Sequence, residues 1–179
     1  MNRQMVKYVD TLVTFAEFPN EISLCINISG CPNHCPGCHS PYLAQDIGEV
    51  LNKESLFRLI EANKGISCVG LMGGDQALNT INWLAKCIKE QYPGLKVGWY
   101  SGRDKLPPEI ILSYFDFYKL GPYIEERGPL TNPNTNQRFY SKGEHLHKIS
   151  ANKDLFYDVT NWFWKNDTNT ETSGISIES

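Results

Sequence analysis

Three cysteines lie close together in the chain, at Cys31, Cys35 and Cys38, with the spacing C-x3-C-x2-C. Proline and glycine residues separate them, which is typical of a loop that wraps around a compact group. Three thiolates can hold three irons of a [4Fe–4S] cluster and leave the fourth iron open to a small molecule. The remaining cysteines, at positions 25, 68 and 87, fall in predicted strands or a predicted helix and are expected to be small core residues.

The same loop allows two other interpretations. A zinc ion could be held by the three thiols together with His34 or His39, although a structural zinc site usually takes its ligands from two separated pairs and no second pair is evident. Cys35 and Cys38 also form a C-x-x-C motif of the kind used in thiol–disulfide exchange. Such motifs normally open a helix, whereas Pro41 follows closely here. We therefore favour the iron–sulfur interpretation.

Composition narrows the class of protein. The chain has 179 residues with 17 basic and 20 acidic side chains, and its 41% apolar residues are enough for one packed domain. We predict a single domain over residues 1–165 and a polar, disordered tail over 166–179. Because the basic residues are scattered, no nucleic-acid partner is expected. The start of the chain lacks a secretory signal, and the uncharged stretch 22–45 contains prolines and asparagines that a bilayer would reject, so we expect a cytoplasmic protein outside the membrane.

Strand-like stretches alternate with helical ones through the first two-thirds of the chain. The predicted strands are 22–29, 66–72, 95–100 and 115–120, and the predicted helices lie at about 53–63 after an Asn52 cap, around 81–88, and over 107–114. This order predicts an α/β fold with a mainly parallel sheet, in which ligands gather at the carboxyl ends of the strands. We expect the cysteine loop (Gly30–Pro41), Gly73-Gly74-Asp75 and Ser101-Gly102 to line that edge, called the rim below.

The C-terminal part changes character. A turn-rich loop runs from Gly121 to Asn136, and two antiparallel strands are predicted over 138–149 and 155–163. His145 and His147 would share one face of the first of these strands and could suggest a second metal site. Since the sequence shows no third ligand, we predict a solvated hairpin face there instead.

The cysteine motif after the first predicted strand and the Gly-Gly-Asp motif after the next are similar to those of radical S-adenosylmethionine enzymes. Within that superfamily the chain resembles the activating proteins of anaerobic ribonucleoside-triphosphate reductase, which are glycyl-radical-enzyme activases, over roughly residues 9–158. Gly37 and Asp75 depart from the wider superfamily, which often has an aromatic residue and Glu there, but both are normal for this branch. The segments that carry the resemblance are Ile28-Ser-Gly-Cys-Pro-Asn-His-Cys-Pro-Gly-Cys-His39, Gly70-Leu-Met-Gly-Gly-Asp75, Gly121-Pro-Tyr-Ile-Glu125 and Asn136-Gln-Arg138.

The resemblance implies a partial, open (β/α) barrel of the radical S-adenosylmethionine type with a C-terminal β-hairpin. It implies that the three cysteines of the motif ligate a [4Fe–4S] cluster, whose open iron chelates the amino and carboxylate groups of S-adenosylmethionine. Gly73 and Gly74 would let the backbone approach the methionyl amino group, which a Cβ atom would obstruct. The residues implied to border the cofactor are Gly37, Cys38, His39, Gly73, Gly74 and Asp75. A ribose contact at Tyr100, Ser101 and Gly102 and a cofactor, partner or ion-pair role of Arg138 are left open.

The implied activity is reductive cleavage of S-adenosylmethionine, which gives methionine and a 5′-deoxyadenosyl radical that takes a hydrogen atom from a glycine of the reductase. The implied partners are the catalytic subunit of the anaerobic ribonucleotide reductase and a low-potential electron donor such as flavodoxin or ferredoxin. One alternative keeps this chemistry but acts on another glycyl-radical enzyme or on a small molecule such as a pterin. A different alternative is a zinc-stabilised adaptor without catalysis.

Overall fold

The computed structural model describes residues 2–165 and contains an eight-stranded open sheet with helices packed against it. The strands are β1 (Lys7–Thr14), β2 (Ser23–Ile28), β3 (Glu49–Val50), β4 (Cys68–Met72), β5 (Lys96–Tyr100), β6 (Phe117–Leu120), β7 (Arg138–Lys142) and β8 (Phe156–Asp158). The helices are α1 (Lys53–Ala62), α2 (Leu78–Gln91) and the short α3 (Trp162–Lys165), and 3-10 turns lie at Pro41–Ala44, Leu112–Tyr114 and Gly143–His145. No helix among these residues is both long and apolar enough to span a membrane.

The order across the sheet is β3-β1-β2-β4-β5-β6-β7-β8, and the sheet does not close on itself. Its central strands β2, β4, β5 and β6 run parallel, while β1, β3, β7 and β8 add at the two sides in antiparallel fashion. The predicted α/β class is therefore confirmed. Helix α1 begins at the predicted cap, since the Asn52 side chain accepts a hydrogen bond from the Ser55 N–H at 2.9 Å. Parallel strands carry all their carboxyl ends to one edge, which is the predicted rim.

The two faces of the sheet are covered differently. The first face packs against α1 and α2 through a large aliphatic core that includes Leu24, Leu71 and Trp99, all buried. On the second face, the fully buried ring of Phe18 lies over β4 and β5. Gly70 leaves the space that this ring occupies, since a Cβ atom there would overlap it. An aromatic group of Phe18, Phe117 and Phe139 thus fills the middle of the second face.

Two strands, β1 and β3, were not predicted from the sequence. The segment β1 shows no clean period-two pattern, because a bulge between Tyr8 and Asp10 shifts its register against β2. As a result Tyr8 is buried, while Leu12 and Val13 are exposed on an edge that β3 covers only at Lys7 and Tyr8. The cysteine loop therefore follows the second strand of the chain, and the prediction that it follows the first was wrong.

The C-terminal predictions need correction as well. The antiparallel pair β7–β8 is present, but β7 ends at Lys142 and β8 spans only Phe156–Asp158. His145 lies in the following 3-10 turn, so the prediction that it shares a strand face with His147 was wrong. The predicted helix 107–114 is only the turn Leu112–Tyr114, because the Asn82 side chain binds the carbonyl of Glu109 and the N–H of Ile111, groups that a helix would use. The predicted tail 166–179 lies outside the described residues.

Candidate functional site

The cysteine loop follows β2, and its first residues pair with the residues that come directly after it. The N–H groups of Gly30 and Cys31 donate to the carbonyls of Gln45 and Leu43, at 3.0 and 2.9 Å, which ties the loop to the residues around its 3-10 turn. His34 adopts a left-handed backbone with φ of 46°, which lets the chain reverse between the first two cysteines. The thiols of Cys31, Cys35 and Cys38 line one cavity of about 230 Å³, together with His34, Ser40, Pro41 and Ala44.

Backbone and side-chain donors point at two of these sulfurs. The Ser40 N–H donates to Cys38 Sγ at 3.4 Å, and the Asn33 amide donates to Cys31 Sγ at 3.6 Å. Hydrogen bonds to the sulfurs are among the contacts that tune iron–sulfur clusters. The donor set, three half-exposed thiols around one cavity with N–H groups directed at two of them, therefore fits a [4Fe–4S] cluster.

The same geometry fits zinc poorly. A tetrahedral zinc ion with bonds of 2.0–2.3 Å would bring its sulfur and nitrogen ligands to about 3.3–3.8 Å from one another. Within residues 2–165, no three Cys or His ligand atoms of the cysteine loop lie within 4.8 Å of one another. The His39 ring instead packs edge-on against the Tyr123 ring, with centroids 5.0 Å apart. Thiols on separate irons of a cluster need no such close approach.

Thiol–disulfide exchange also lacks its usual setting. Exchange motifs place a thiol at a helix N-terminus, and here the motif is followed only by the 3-10 turn Pro41–Ala44. All six cysteines of the chain are free thiols.

The Gly-Gly-Asp turn ends β4 next to the cysteine loop. Gly73 and Gly74 both have left-handed φ angles, of 113° and 92°, which glycine adopts without strain. The Gly73 carbonyl accepts a hydrogen bond from the Trp99 indole at 2.9 Å, and a Cβ atom on Gly74 would overlap the Ile81 side chain. Both glycines are thus required by the fold itself, and their approach to a cofactor stays a prediction.

Asp75 joins the three parts of the rim. Its side chain is almost fully buried and accepts hydrogen bonds from the Ser101 hydroxyl at 2.6 Å, the Gly102 N–H at 2.9 Å and the Asn33 amide at 2.7 Å. The Arg103 guanidinium donates to its backbone carbonyl at 2.9 Å. The structure therefore brings the cysteine loop, the Gly-Gly-Asp turn and Ser101-Gly102 together, as the strand order indicated. The carboxylate of Asp75 faces these protein donors, and its predicted contact with a cofactor stays a prediction.

Replacing Asp75 by asparagine is expected to lower the free energy of unfolding by about 2 kcal/mol, because the neutral side chain loses the charge-assisted hydrogen bonds that the buried carboxylate accepts and its ion pair with Arg103. Urea unfolding of the metal-free protein measures this change. Asp104→Asn, at an exposed position of the loop that follows β5, serves as the control and should stay within about 0.5 kcal/mol of the parent. Equal stability of the two variants would show that Asp75 does not anchor the rim.

The hydroxyls considered for a ribose contact are already engaged. The Tyr100 hydroxyl donates to the carbonyl of Glu17 at 2.7 Å, and burial raises the pKa of Tyr100 well above its usual value. The Ser101 hydroxyl donates to Asp75. Arg138 forms an ion pair with Asp158 at 2.8 Å. Of the three roles considered for Arg138, namely cofactor contact, partner contact and ion pair, the structure therefore shows the ion pair.

The Asn-Gln-Arg motif positions the loop opposite the cysteines. The amides of Asn136 and Gln137 donate to the carbonyls of Pro122 and Gly121, at 3.0 and 3.4 Å. This holds the 121–125 segment against the cysteine loop, where a Cβ atom on Gly37 would lie 3.1 Å from the Glu125 carboxylate. Gly37 also has a left-handed φ of 72°, a backbone conformation that favours glycine at this position.

One residue near the site was missed from the sequence. Lys119 on β6 is only 9% exposed, and its ammonium lies 5.1 Å from the centroid of the Tyr100 ring. Burial lowers the pKa of Lys119 to about 8, although the negative charges of Asp75 and Glu17 oppose that shift. A single charge in a strand otherwise built of Phe, Tyr and Leu was the available signal.

Comparison with known protein families agrees with the donor set. A family model described as a 4Fe-4S single cluster domain matches residues 22–142, which include the cysteine loop, the Gly-Gly-Asp turn and Lys119. No curated protein and no solved structure matches the chain.

Proposed function

Because the chain belongs to the 4Fe-4S single cluster domain family, we propose that it is a radical S-adenosylmethionine enzyme that activates an anaerobic ribonucleoside-triphosphate reductase. The observation that carries this proposal is the hydrogen bond from the Asn33 amide to Asp75, which joins the three-thiol loop to the Gly-Gly-Asp turn at one rim, near the buried cation of Lys119. In this proposal the open sheet is a partial barrel of the radical S-adenosylmethionine type.

The cluster would be held by Cys31, Cys35 and Cys38 alone. The other three cysteines are buried, and burial raises the pKa of Cys25 to about 12 and that of Cys68 far above its usual value. Burial also raises the pKa of the Cys87 thiol. Since the thiolate is the form that binds metal, these three side chains are poor ligands at neutral pH, which supports one open iron.

When bound, the cluster would supply the electron for reductive cleavage of S-adenosylmethionine to methionine and a 5′-deoxyadenosyl radical, and this radical would take a hydrogen atom from a glycine of the partner. In this proposal the residues of the chain bind and orient the cluster and S-adenosylmethionine. The ammonium of Lys119 is placed to pair with a carboxylate beside the cysteine loop, and Asp75 keeps that loop on the sheet. The aromatic group around Phe18, which packs 5.3 Å from the Tyr100 ring, excludes water from the second face next to this position.

The resemblance at Asn136-Gln-Arg138 favours the reductase over other partners, and we propose its catalytic subunit as the protein substrate. The electron would come from a low-potential donor such as flavodoxin or ferredoxin. We place the reaction in the cytoplasm, whose reducing conditions suit six free thiols. The second candidate function keeps the radical chemistry and changes the substrate to another glycyl-radical enzyme or a small molecule.

The test is anaerobic reconstitution with iron and sulfide, followed by reduction with dithionite in the presence of S-adenosylmethionine. We expect about four irons per chain and formation of 5′-deoxyadenosine. Addition of the reductase subunit should then give the electron paramagnetic resonance doublet of a glycyl radical on that subunit. Cleavage without the doublet would favour the second candidate, whereas one zinc per chain with no cleavage would replace the proposal by the zinc-stabilised adaptor.

A further inference from the structure

The histidine pair 145 and 147 lies at the opposite end of the sheet from the cysteine loop. Asp116 immediately precedes β6, and the turn Gly143–His145 follows β7, which runs antiparallel beside it. We propose that Asp116, Glu144 and His145 form a binding site for one zinc ion, separate from the cluster site. The sequence offered no third ligand for these histidines, and the fold brings two carboxylates to His145.

The ligand atoms already have the spacing of a metal shell. His145 Nε2 lies 2.9 Å from Asp116 Oδ1 and 3.6 Å from Glu144 Oε1, and all three atoms lie within 4.8 Å of one another. Around a tetrahedral zinc ion with bonds of 2.0–2.2 Å, neighbouring ligand atoms are about 3.4 Å apart. The observed separations lie on both sides of this value, so small side-chain adjustments suffice.

Two of the three ligands are held in place by contacts that a metal would leave intact. Asp116 is almost fully buried, and its Oδ2 is occupied by the Lys89 ammonium and by the Val97 N–H at 2.8 Å. Its Oδ1 therefore faces His145, whose ring packs against the Phe117 ring with centroids 5.4 Å apart. Outer hydrogen bonds of this kind orient metal ligands in known sites.

The site opens into a cavity of about 260 Å³ that Glu144, His145 and His147 line. The cavity has room for a fourth ligand, either His147 or water, as zinc coordination requires. Three ion pairs surround the site, between Lys89 and Asp116, between Lys142 and Glu144, and between Lys96 on the cavity wall and Glu21. An imidazole with two carboxylates favours zinc over magnesium or calcium, which prefer oxygen ligands alone.

The test must separate this site from the thiols. We would prepare the full chain without an affinity tag, with all three motif cysteines replaced by alanine, and titrate it with zinc chloride by isothermal calorimetry. We expect one zinc per chain, and Glu144→Gln and His145→Gln in that background should each weaken binding at least tenfold. Glu126→Gln, an exposed acidic residue away from the site, is the matched control and should bind as the background does.

Thermal unfolding provides a second readout. Zinc should raise the melting temperature of the chain without the motif cysteines and of the Glu126→Gln control, and this rise should be lost in the His145→Gln variant, because a ligand that binds only the folded state stabilises it. Absence of stoichiometric zinc in the chain without the motif cysteines would overturn the proposal. Unchanged affinity in His145→Gln would do the same, and neither outcome bears on radical chemistry at the cysteine loop.

Discussion

Replacement of Cys35 by alanine is expected to reduce the iron content of the reconstituted protein from about four irons per chain to less than one. With Cys35 removed, only two of the three accessible thiols around the cavity remain, and the buried cysteines cannot replace it because their pKa values are raised. Formation of 5′-deoxyadenosine should fall to background with the iron. Iron and sulfide analysis and the visible absorption of the cluster, after anaerobic reconstitution, measure the change.

Cys87→Ala is the matched control, because it removes the same thiol from a buried position on α2. This variant should keep about four irons per chain and lose only a modest amount of stability. If Cys35→Ala retained its iron, or if Cys87→Ala lost it, the assignment of the cluster to the three-thiol loop would be wrong. A variant with normal iron but no cleavage would instead separate cluster binding from the radical activity.

The rim was predictable because its sequence signals are local. Cys31, Cys35 and Cys38 stand within one short loop, and Gly73-Gly74-Asp75 directly follows a buried strand. Parallel strand order then carries these segments to one edge, where the Asn33 and Ser101 side chains meet Asp75. Nothing beyond the order of elements was needed to place them together.

Other features depend on contacts between distant segments and had no local signal. The hydrogen bond between Asp116 and His145 joins residues that are 29 positions apart. It forms because the chain turns after β7, where the sequence predicted a longer strand. The bulge in β1 likewise arises from its pairing with β2, and it erases the alternation by which a strand is recognised. Lys119 was visible as a charge in an apolar strand, but its position beside the cysteine loop required the sheet register.

Lys119→Met is expected to stabilise the metal-free protein at pH 7 by up to about 3 kcal/mol. Lys119 has a pKa of about 8 in the folded chain, below the value of 10.5 for a free lysine, because its ammonium is buried. Between these values the unfolded chain binds more protons than the folded chain, so the parent should gain stability as the pH rises from about 8 towards 10.5. The methionine variant lacks this group, and the difference between the two proteins should shrink over that interval.

Urea unfolding of the parent and the variant at pH 7, 8, 9 and 10 measures this difference, in which the titration of other groups largely cancels. Lys105→Met, at an exposed position near the rim, is the control and should follow the parent at every pH. If Lys119→Met were less stable than the parent at pH 7, the ammonium would be a stabilising contact and not a strained one.

A charge kept buried at a cost to stability points to a function, and the same variant tests which function it is. In the reconstituted protein, loss of the Lys119 ammonium should weaken binding of S-adenosylmethionine by about tenfold or more, the effect of one charge-assisted hydrogen bond to a carboxylate. Iron content should stay at about four per chain, since Lys119 offers no ligand to iron. Lys105→Met should bind the cofactor as the parent does. If Lys119→Met were more stable than the parent but bound S-adenosylmethionine more weakly, Lys119 would be a cofactor-binding residue and not one that supports the fold. Unchanged cofactor affinity would show that Lys119 does not belong to the site.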